Sequence, residues 1–377
     1  MKVLLVGEYS GVHTNLANAL REKGVFVKTL SDGDSYKKFD SDYRITYNEL
    51  ISKNKILKYF FFIYYAFLDF SGLKGVIQIW KYNQVISELK GYDVVQIINP
   101  VALSGFGSLV NLFFIKHIKK NNKKLFLCAL GDDYFWVKSQ LNDKNSMFGL
   151  MKLNNFYKFL YSLKYVYGFF YPKLNKKVVE WCDNIIPGLY DYYKVYEKNP
   201  KCVNIIPIII DEVNPTPYKF DGYPIKIFHG WQLGKELRKG NLFFDEAINK
   251  LPEKYKKKIE YKVVKNLPYN EYIFKFKEST IFFDQCLSFD MGVNALLGMR
   301  EGKVVFSGNK NGPNTFCDCV IESKPDVDFI IEKLIKLLDN PNDLERISRE
   351  SVEYIASRHS KDVVIKQYMS IWKNEDS

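Results

Sequence analysis

The stretch Asp284-Gln-Cys-Leu-Ser-Phe-Asp-Met-Gly292-Val-Asn-Ala-Leu-Leu-Gly-Met-Arg300-Glu-Gly302-Lys-Val-Val-Phe-Ser-Gly308 follows a short apolar run, Thr280 to Phe283, of the kind that forms a buried strand. Gly292 opens a helix-compatible run from Val293 to Arg300. Gly302 stops it, and Lys303 to Phe306 supplies a second strand. A helix that starts straight after a strand-ending loop leaves its first N–H groups unpaired and turns its positive dipole end toward the loop. The backbone after Gly292 is therefore a predicted anion site, suited to a phosphate that approaches a residue without a side chain.

The same rhythm runs through the chain. Lys2 to Val6 reads as a strand, Gly7 to Gly11 as a loop, about Thr14 to Lys23 as a helix and Val25 to Leu30 as a second strand. Such a βαβ unit implies a parallel sheet with a ligand edge at the first loop. A nicotinamide enzyme would want Gly-x-Gly-x-x-Gly there, and this loop has only Gly7 and Gly11, with Glu8 and His13 beside them. Asp93 to Ile98 and Leu125 to Leu130 are further strands, the second ending in Gly131-Asp132-Asp133-Tyr134. Carboxylates just past a parallel strand point into the ligand crevice, so Asp132 and Asp133 are acid/base or acceptor-binding candidates; either could equally cap the next helix. Ile185 to Gly188 and Val203 to Ile210 complete a first domain, residues 1–210. Pro215, Pro217 and Pro224 mark residues 211–224 as a hinge. A second βα series begins at Ile225, where the strand Ile225 to Phe228 and the basic loop Lys235-Glu-Leu-Arg238-Lys239-Gly240 lead into a helix, Asn241 to Lys250. It extends to residue 355, and residues 356–377 form a last helix.

A chain of 377 residues can build two cores, and its net charge of +12 either follows from general lysine abundance or draws it to polyanions. The six cysteines show no paired Cys-x-x-Cys spacing, so no zinc site is expected. Met1-Lys2 leads directly into a strand rather than a signal sequence, which predicts a cytoplasmic protein. Between Leu57 and Trp80 lies an aromatic segment crowded by Lys53, Lys55 and Lys58; a second runs from Phe156 to Tyr171. Each fits a helix packed on the sheet or one lying in an anionic membrane surface. Nucleic acid is not an expected partner, because the aromatic clusters are too apolar.

The central stretch resembles the donor-binding segment of the family-4 retaining glycosyltransferases, which reads Glu-Gly-Phe-Gly, four residues, Glu-Ala-Met-Ala, then Gly-Lys-Pro-Val. Gly292, Met299, Gly302, Lys303 and Val305 fall in register, while Phe289 and Leu297 stand at the two glutamates. In that family the first glutamate supports the donor sugar and the second holds the ribose. The resemblance implies an α/β protein of the GT-B fold, two Rossmann-like domains facing a central cleft with a C-terminal helix crossing back to the first. It implies a retaining hexosyltransferase that uses a nucleotide-sugar donor, with no essential metal and no cofactor. The acceptor would be a glycan or lipid-linked glycan of capsule, O-antigen or lipopolysaccharide. Arg238 and Lys239, with Lys235 in reserve, would clamp the donor diphosphate together with Gly292, Val293 and Asn294. Leu267 falls in the loop around the nucleobase. Gly11, His13, Asp132 and Asp133 would face acceptor and sugar, and Asp290 is the nearest polar substitute for the missing glutamates. A non-catalytic nucleotide-sugar-binding protein and a nucleotide-sugar epimerase of the same fold are the alternatives.

Overall fold

The computed structural model describes residues 1–34, 39–50, 52–141, 146, 148–149, 156–211, 213, 215, 217–231, 236–265, 269–308 and 318–374. Six short strands, β1 (Lys2–Val6), β2 (Phe26–Ser31), β3 (Tyr43–Arg44), β4 (Val94–Ile97), β5 (Lys124–Leu127) and β6 (Asn184–Ile185), form the first sheet. They run parallel in the order β3-β2-β1-β4-β5-β6, the doubly wound arrangement whose direction of travel reverses between β1 and β4. Side chains alternate across the pleat. Leu4, Val6, Val95, Ile97, Leu125 and Leu127 enter the core on one face. Val3, Leu5, Val94 and Phe126 enter another on the opposite face. Both faces are covered, which is why β1 is apolar at consecutive positions rather than alternate ones.

The helix Lys361–Lys373 belongs to this sheet although it ends the chain. Val364, Ile365, Tyr368 and Trp372 pack in the same cluster as Val3, Leu5 and Phe126, and Lys124 Nζ donates to the Trp372 carbonyl at 2.8 Å. The expected crossing-back is therefore present.

The second sheet has five parallel strands, β7 (Ile225–Trp231), β8 (Ile259–Lys265), β9 (Ile281–Phe283), β10 (Val304–Ser307) and β11 (Val320–Glu322). Their order is β11-β10-β9-β7-β8, so its reversal lies between β7 and β9. The helices Asn241–Lys250 and Val293–Arg300 span the residues the sequence predicts.

One predicted strand is absent. Val203 to Ile210 forms no strand: beside the bridge from Cys202 to Ile185, its Val203 N–H donates to the Ile185 carbonyl at 3.0 Å and its Ile206 N–H to the Pro187 carbonyl at 3.1 Å, and there the pairing stops. Pro207 has no N–H to give a neighbouring strand, and the Ile208 carbonyl and Ile210 N–H are taken by His359. Ile206, Ile208, Ile209 and Ile210 are buried all the same, so the hydrophobic run reports burial well beyond the few residues that pair.

The two sheets share an apolar base. Val12, Ile98, Leu130, Ile208 and Ile210 from the first domain pack in one cluster with Phe228, Phe282, Met291, Leu296 and Met299 from the second. Above it, the carboxyl ends of both sheets face each other.

Candidate functional site

At the first sheet's reversal, Gly7 has φ +83°, and a Cβ there would lie 2.3 Å from Ile98 Cγ2 and 2.4 Å from the Ala102 carbonyl oxygen. Only glycine fits. Its carbonyl accepts from His13 Nδ1 at 2.8 Å, and His13 Nε2 takes the Gln96 amide at 3.2 Å. Burial pushes the ring down to about 4, so it is neutral at physiological pH. His13 is thus placed as a brace of the loop, with both ring nitrogens engaged rather than directed into the cleft. Beside it, Glu8 Oε2 accepts from the Thr14 N–H at 2.8 Å and hydroxyl at 2.6 Å, while Oε1 is buried without a partner. Burial raises this carboxyl. The sequence places Glu8 on the loop without assigning it a role; an acidic residue directly after the first glycine of a switch-point loop is the signal. Gly11, at φ +85°, begins the helix Val12–Glu22 two residues earlier than predicted.

The two adjacent aspartates part company. Asp133 is fully buried and caps the helix Tyr134–Gln140, Oδ1 accepting from the Trp136 N–H at 2.7 Å and Oδ2 from the Tyr196 hydroxyl at 2.5 Å. Burial pushes it up to about 6. This is the capping role weighed for it from sequence. Asp132 turns across the cleft instead. Arg238 Nη1 and Nη2 donate to its two oxygens at 3.0 and 2.5 Å, and the guanidinium lies 5.6 Å over the Trp136 ring.

On the second domain, Lys239 Nζ pairs with Asp284 Oδ1 at 2.7 Å, where the carboxylate is 1% exposed and the lysine 15%. Gly240 (φ +72°) lets the chain turn sharply into the helix Asn241–Lys250, and a Cβ there would meet Cys286 Sγ at 2.3 Å. The Cys286 N–H donates to the Lys239 carbonyl at 2.9 Å, so the basic loop and the Asp284 loop form one wall. At the foot of that wall, His229 is fully buried, its Nδ1 2.6 Å from the Tyr261 hydroxyl, and burial lowers it to about 3.

The loop before Val293–Arg300 is held from the opposite domain. Asp191 accepts from the Phe289 and Asp290 N–H groups, each at 3.1 Å, and from the Ser288 hydroxyl at 2.7 Å. Asp290 returns the contact, accepting the Tyr190 N–H at 2.8 Å. Burial raises both carboxyls, Asp290 to about 6. Gly292 has φ −76° and ψ 172°, open to any residue, so close approach and not backbone strain is what a glycine offers there. Val293 and Leu297 are half-buried against the interdomain cluster, and Asn294 is exposed. Lys235 and Leu267 lie outside the described residues. Among the described residues, no group of three or more His, Cys, Asp or Glu side chains is arranged to hold a metal.

Seven of the sequence-derived candidates, Asp132, Arg238, Lys239, Asp290, Gly292, Val293 and Asn294, thus lie on or at the edge of the cleft walls, with Gly11 on the facing loop. Two cations and a helix N-terminus line one wall, the chemistry that holds a polyanion and stabilises negative charge growing on it. In this structure each cation rests on a carboxylate.

No family model matches the sequence, and no curated protein matches it. The backbone is nevertheless similar to solved structures over nearly its whole length. A sucrose-phosphate synthase from Thermosynechococcus elongatus superposes with a TM-score of 0.60 at 11% identity, covering 99% of each chain. HepE from Anabaena in complex with UDP gives 0.56 at 9%, covering 99% of this chain and 100% of that one. The lipopolysaccharide outer core galactosyltransferase WaaB, in its apo form, gives 0.52 at 11%, with 99% and 100% covered. With two doubly wound parallel sheets edge to edge across a cleft, the chain has the GT-B fold.

Proposed function

We propose that this protein is a glycosyltransferase that moves a sugar from a nucleotide-sugar donor onto a glycan or lipid-linked glycan acceptor of a bacterial surface polysaccharide. The observation that carries the reading is the wall made by Arg238, Lys239 and the Val293–Arg300 helix start, standing at the reversal point of the second sheet and facing the carboxyl edge of the first. A departing nucleoside diphosphate gains negative charge, and cations fixed beside a helix N-terminus lower the energy of that state more than that of the bound donor. On donor binding, the diphosphate would take over Arg238 from Asp132, leaving that carboxylate free beside the sugar. Support for a uridine donor comes from the HepE structures, described in complex with UDP and with UDP-glucose. WaaB, a galactosyltransferase of lipopolysaccharide by its description, supports the acceptor class. Retention of configuration and independence from metal belong to this proposal.

A second reading, a protein that binds nucleotide sugar without transferring it, draws on Phe289 and Leu297. Neither apolar side chain can hydrogen-bond a sugar or a ribose, and the Phe289 N–H is already taken by Asp191. Titration calorimetry against UDP-, GDP-, ADP- and CMP-sugars, with and without EDTA, together with an assay for nucleotide release, tests both. Binding of one class with turnover supports the transferase. Binding with no release on any acceptor extract favours the second reading, and absence of binding overturns both.

A further inference from the structure

The helix Lys55–Phe70 is mostly exposed, with Phe61, Tyr65, Ala66 and Leu68 half-buried. Asp69 is its one fully buried residue, and Ile56, Tyr59, Phe60, Ile63, Phe67 and Phe70 are 80, 59, 62, 49, 66 and 37% exposed. Their spacing of three, one, three, four and three residues puts them along one side, an apolar stripe of the kind a helix usually turns toward a core. Here it faces outward. The chain beyond continues the surface, with Ile77 78% and Trp80 87% exposed. The second aromatic segment is fastened alongside, its Phe169 N–H donating to the Phe70 carbonyl at 2.9 Å while the Phe169 ring is 67% exposed.

The unpaired charge on this surface is positive. Between residues 53 and 81 stand Lys53, Lys55, Lys58, Lys74 and Lys81 against a single carboxylate, Asp69. Lys74 is buried and pairs with the exposed Glu49 at 3.0 Å, so those two charges answer each other. Asp69 is buried and paired with Lys164 at 2.7 Å, so it presents no negative charge outward. Lys53, Lys55, Lys58 and Lys81 are exposed. We propose that this face docks on a lipid bilayer bearing anionic headgroups, with the helix Lys55–Phe70 lying flat in the interface.

The composition selects lipid over the other occupants of an apolar face. A second copy, related by a twofold axis, would set Lys53, Lys55, Lys58 and Lys81 against one another, and the exposed acid beside them, Glu49, is already paired with Lys74. A nucleic acid would meet Ile56, Ile63 and Ile77, which neither stack nor hydrogen-bond. Tyrosine and tryptophan rings beside aliphatic residues, flanked by lysines whose stems bury while their ammonium groups reach headgroups, match the boundary between acyl chains and water. A helix of 16 residues is about 24 Å long, shorter than the roughly 30 Å hydrocarbon core, and no described helix is long and apolar enough to cross it. The docking does not depend on the transferase reading, and its test uses no sugar.

The experiment is flotation of the full chain with phosphatidylcholine vesicles, with and without phosphatidylglycerol, at low and high salt. Phe60→Ser/Phe67→Ser and Lys55→Glu/Lys58→Glu are compared with the wild type, each first shown to keep its melting temperature. The expected result is flotation with the anionic vesicles alone, at least tenfold weaker in both variants and reduced by salt. A blue shift of tryptophan fluorescence on binding should disappear in Trp80→Phe. Failure to float, equal flotation with uncharged vesicles, or variants that bind as well as the wild type would overturn the proposal. So would a wild-type dimer that Phe60→Ser/Phe67→Ser turns into a monomer without any vesicle binding.

Discussion

Arg238, in the second domain, grips both carboxylate oxygens of Asp132, in the first, at 3.0 and 2.5 Å. From sequence the two are predicted to serve opposite sides of the reaction, the arginine the donor diphosphate and the aspartate the acceptor or sugar. The fold makes them competitors for each other. A guanidinium fork matches a carboxylate and a phosphate equally well, so a diphosphate entering the cleft must displace Asp132 to reach Arg238. Without a ligand, the pair leaves neither charge alone in the cleft. On the proposed reading, donor binding would also release a contact between domains.

Replacing Asp132 with Asn should therefore tighten binding of the donor, because Arg238 no longer has to leave an ionised partner. The pair is partly exposed, so the gain is modest, about 3- to 10-fold in Kd by calorimetry, or ~1 kcal/mol. Arg238→Ala should weaken binding by about 10-fold or more, and the double variant should match Arg238→Ala. A donor affinity that ignores both substitutions would remove Arg238 from the site.

Lys239 and Asp284 have a different dependence, since that carboxylate is 1% exposed. Lys239→Ala would strand a buried charge whose other oxygen has, among the described residues, the Ser307 hydroxyl at 3.4 Å. The expected loss of stability is ~3 kcal/mol in urea denaturation, most of it recovered in Lys239→Ala/Asp284→Asn. Donor binding should fall in both variants alike. If the double variant regains affinity together with stability, Lys239 acts only through the fold.

The rhythm of strand, loop and helix is legible in this sequence because parallel strands covered on both faces must be apolar at consecutive positions, as in Val3 to Val6, Val94 to Ile97 and Ile281 to Phe283. The helices Asn241–Lys250 and Val293–Arg300 are legible for a second reason, a glycine standing just before each. Partnership across the cleft is not. Arg238 and Asp132 are 106 residues apart, and Asp191 reaches a loop almost as distant. Local spacing holds no record of which carboxylate a cation will find once the domains close. Nor could it separate Asp132 from Asp133, neighbours of identical chemistry, since backbone direction past β5 alone decides which of them caps and which turns outward. His13 shows the complementary failure: a titratable residue beside a ligand loop looks catalytic until burial and two hydrogen bonds make it a strut.

The burial of Asp290 between the domains, which outweighs the hydrogen bond it accepts from the Tyr190 N–H, should make stability depend on pH in a direction opposite to the usual salt-bridged carboxylate. Burial raises Asp290 from its ordinary value of 3.8 to about 6, so between those values the native state binds more protons than the unfolded chain. Stability from this group is then fully present below about pH 4 and is lost as pH rises through about 6. Asp42 and Asp69, held low by their partners, act in the other direction, so the wild type alone would not show it. Subtracting Asp290→Asn isolates the effect. The unfolding free energy of the wild type relative to the variant should fall by ~2 kcal/mol between pH 4.5 and pH 7.5. A difference that is flat with pH would mean that Asp290 titrates normally and that the domains are not closed over it in solution.

The one fully buried residue of the exposed aromatic helix Lys55–Phe70 is a carboxylate, Asp69. Burial by itself would raise Asp69, but the charge of Lys164 and hydrogen bonds from Lys164, Tyr171 and Tyr161 outweigh it, leaving the carboxyl below its usual range and ionised. Asn at this position keeps an oxygen for Tyr171, which donates to Oδ1, and loses both the charge and the Oδ2 that Tyr161 and Lys164 share, which leaves the Lys164 ammonium buried without a counter-ion. Asp69→Asn should cost ~3 kcal/mol, and because the helix has few other buried contacts the loss should appear locally. Hydrogen exchange in residues 55–74 should speed up far more than in β1 or β4. Asp69→Asn/Lys164→Met removes both charges and should restore most of the protection. Were exchange to rise evenly across the first domain instead, the pair would be part of its general core, and the aromatic helix would be held by contacts other than this one.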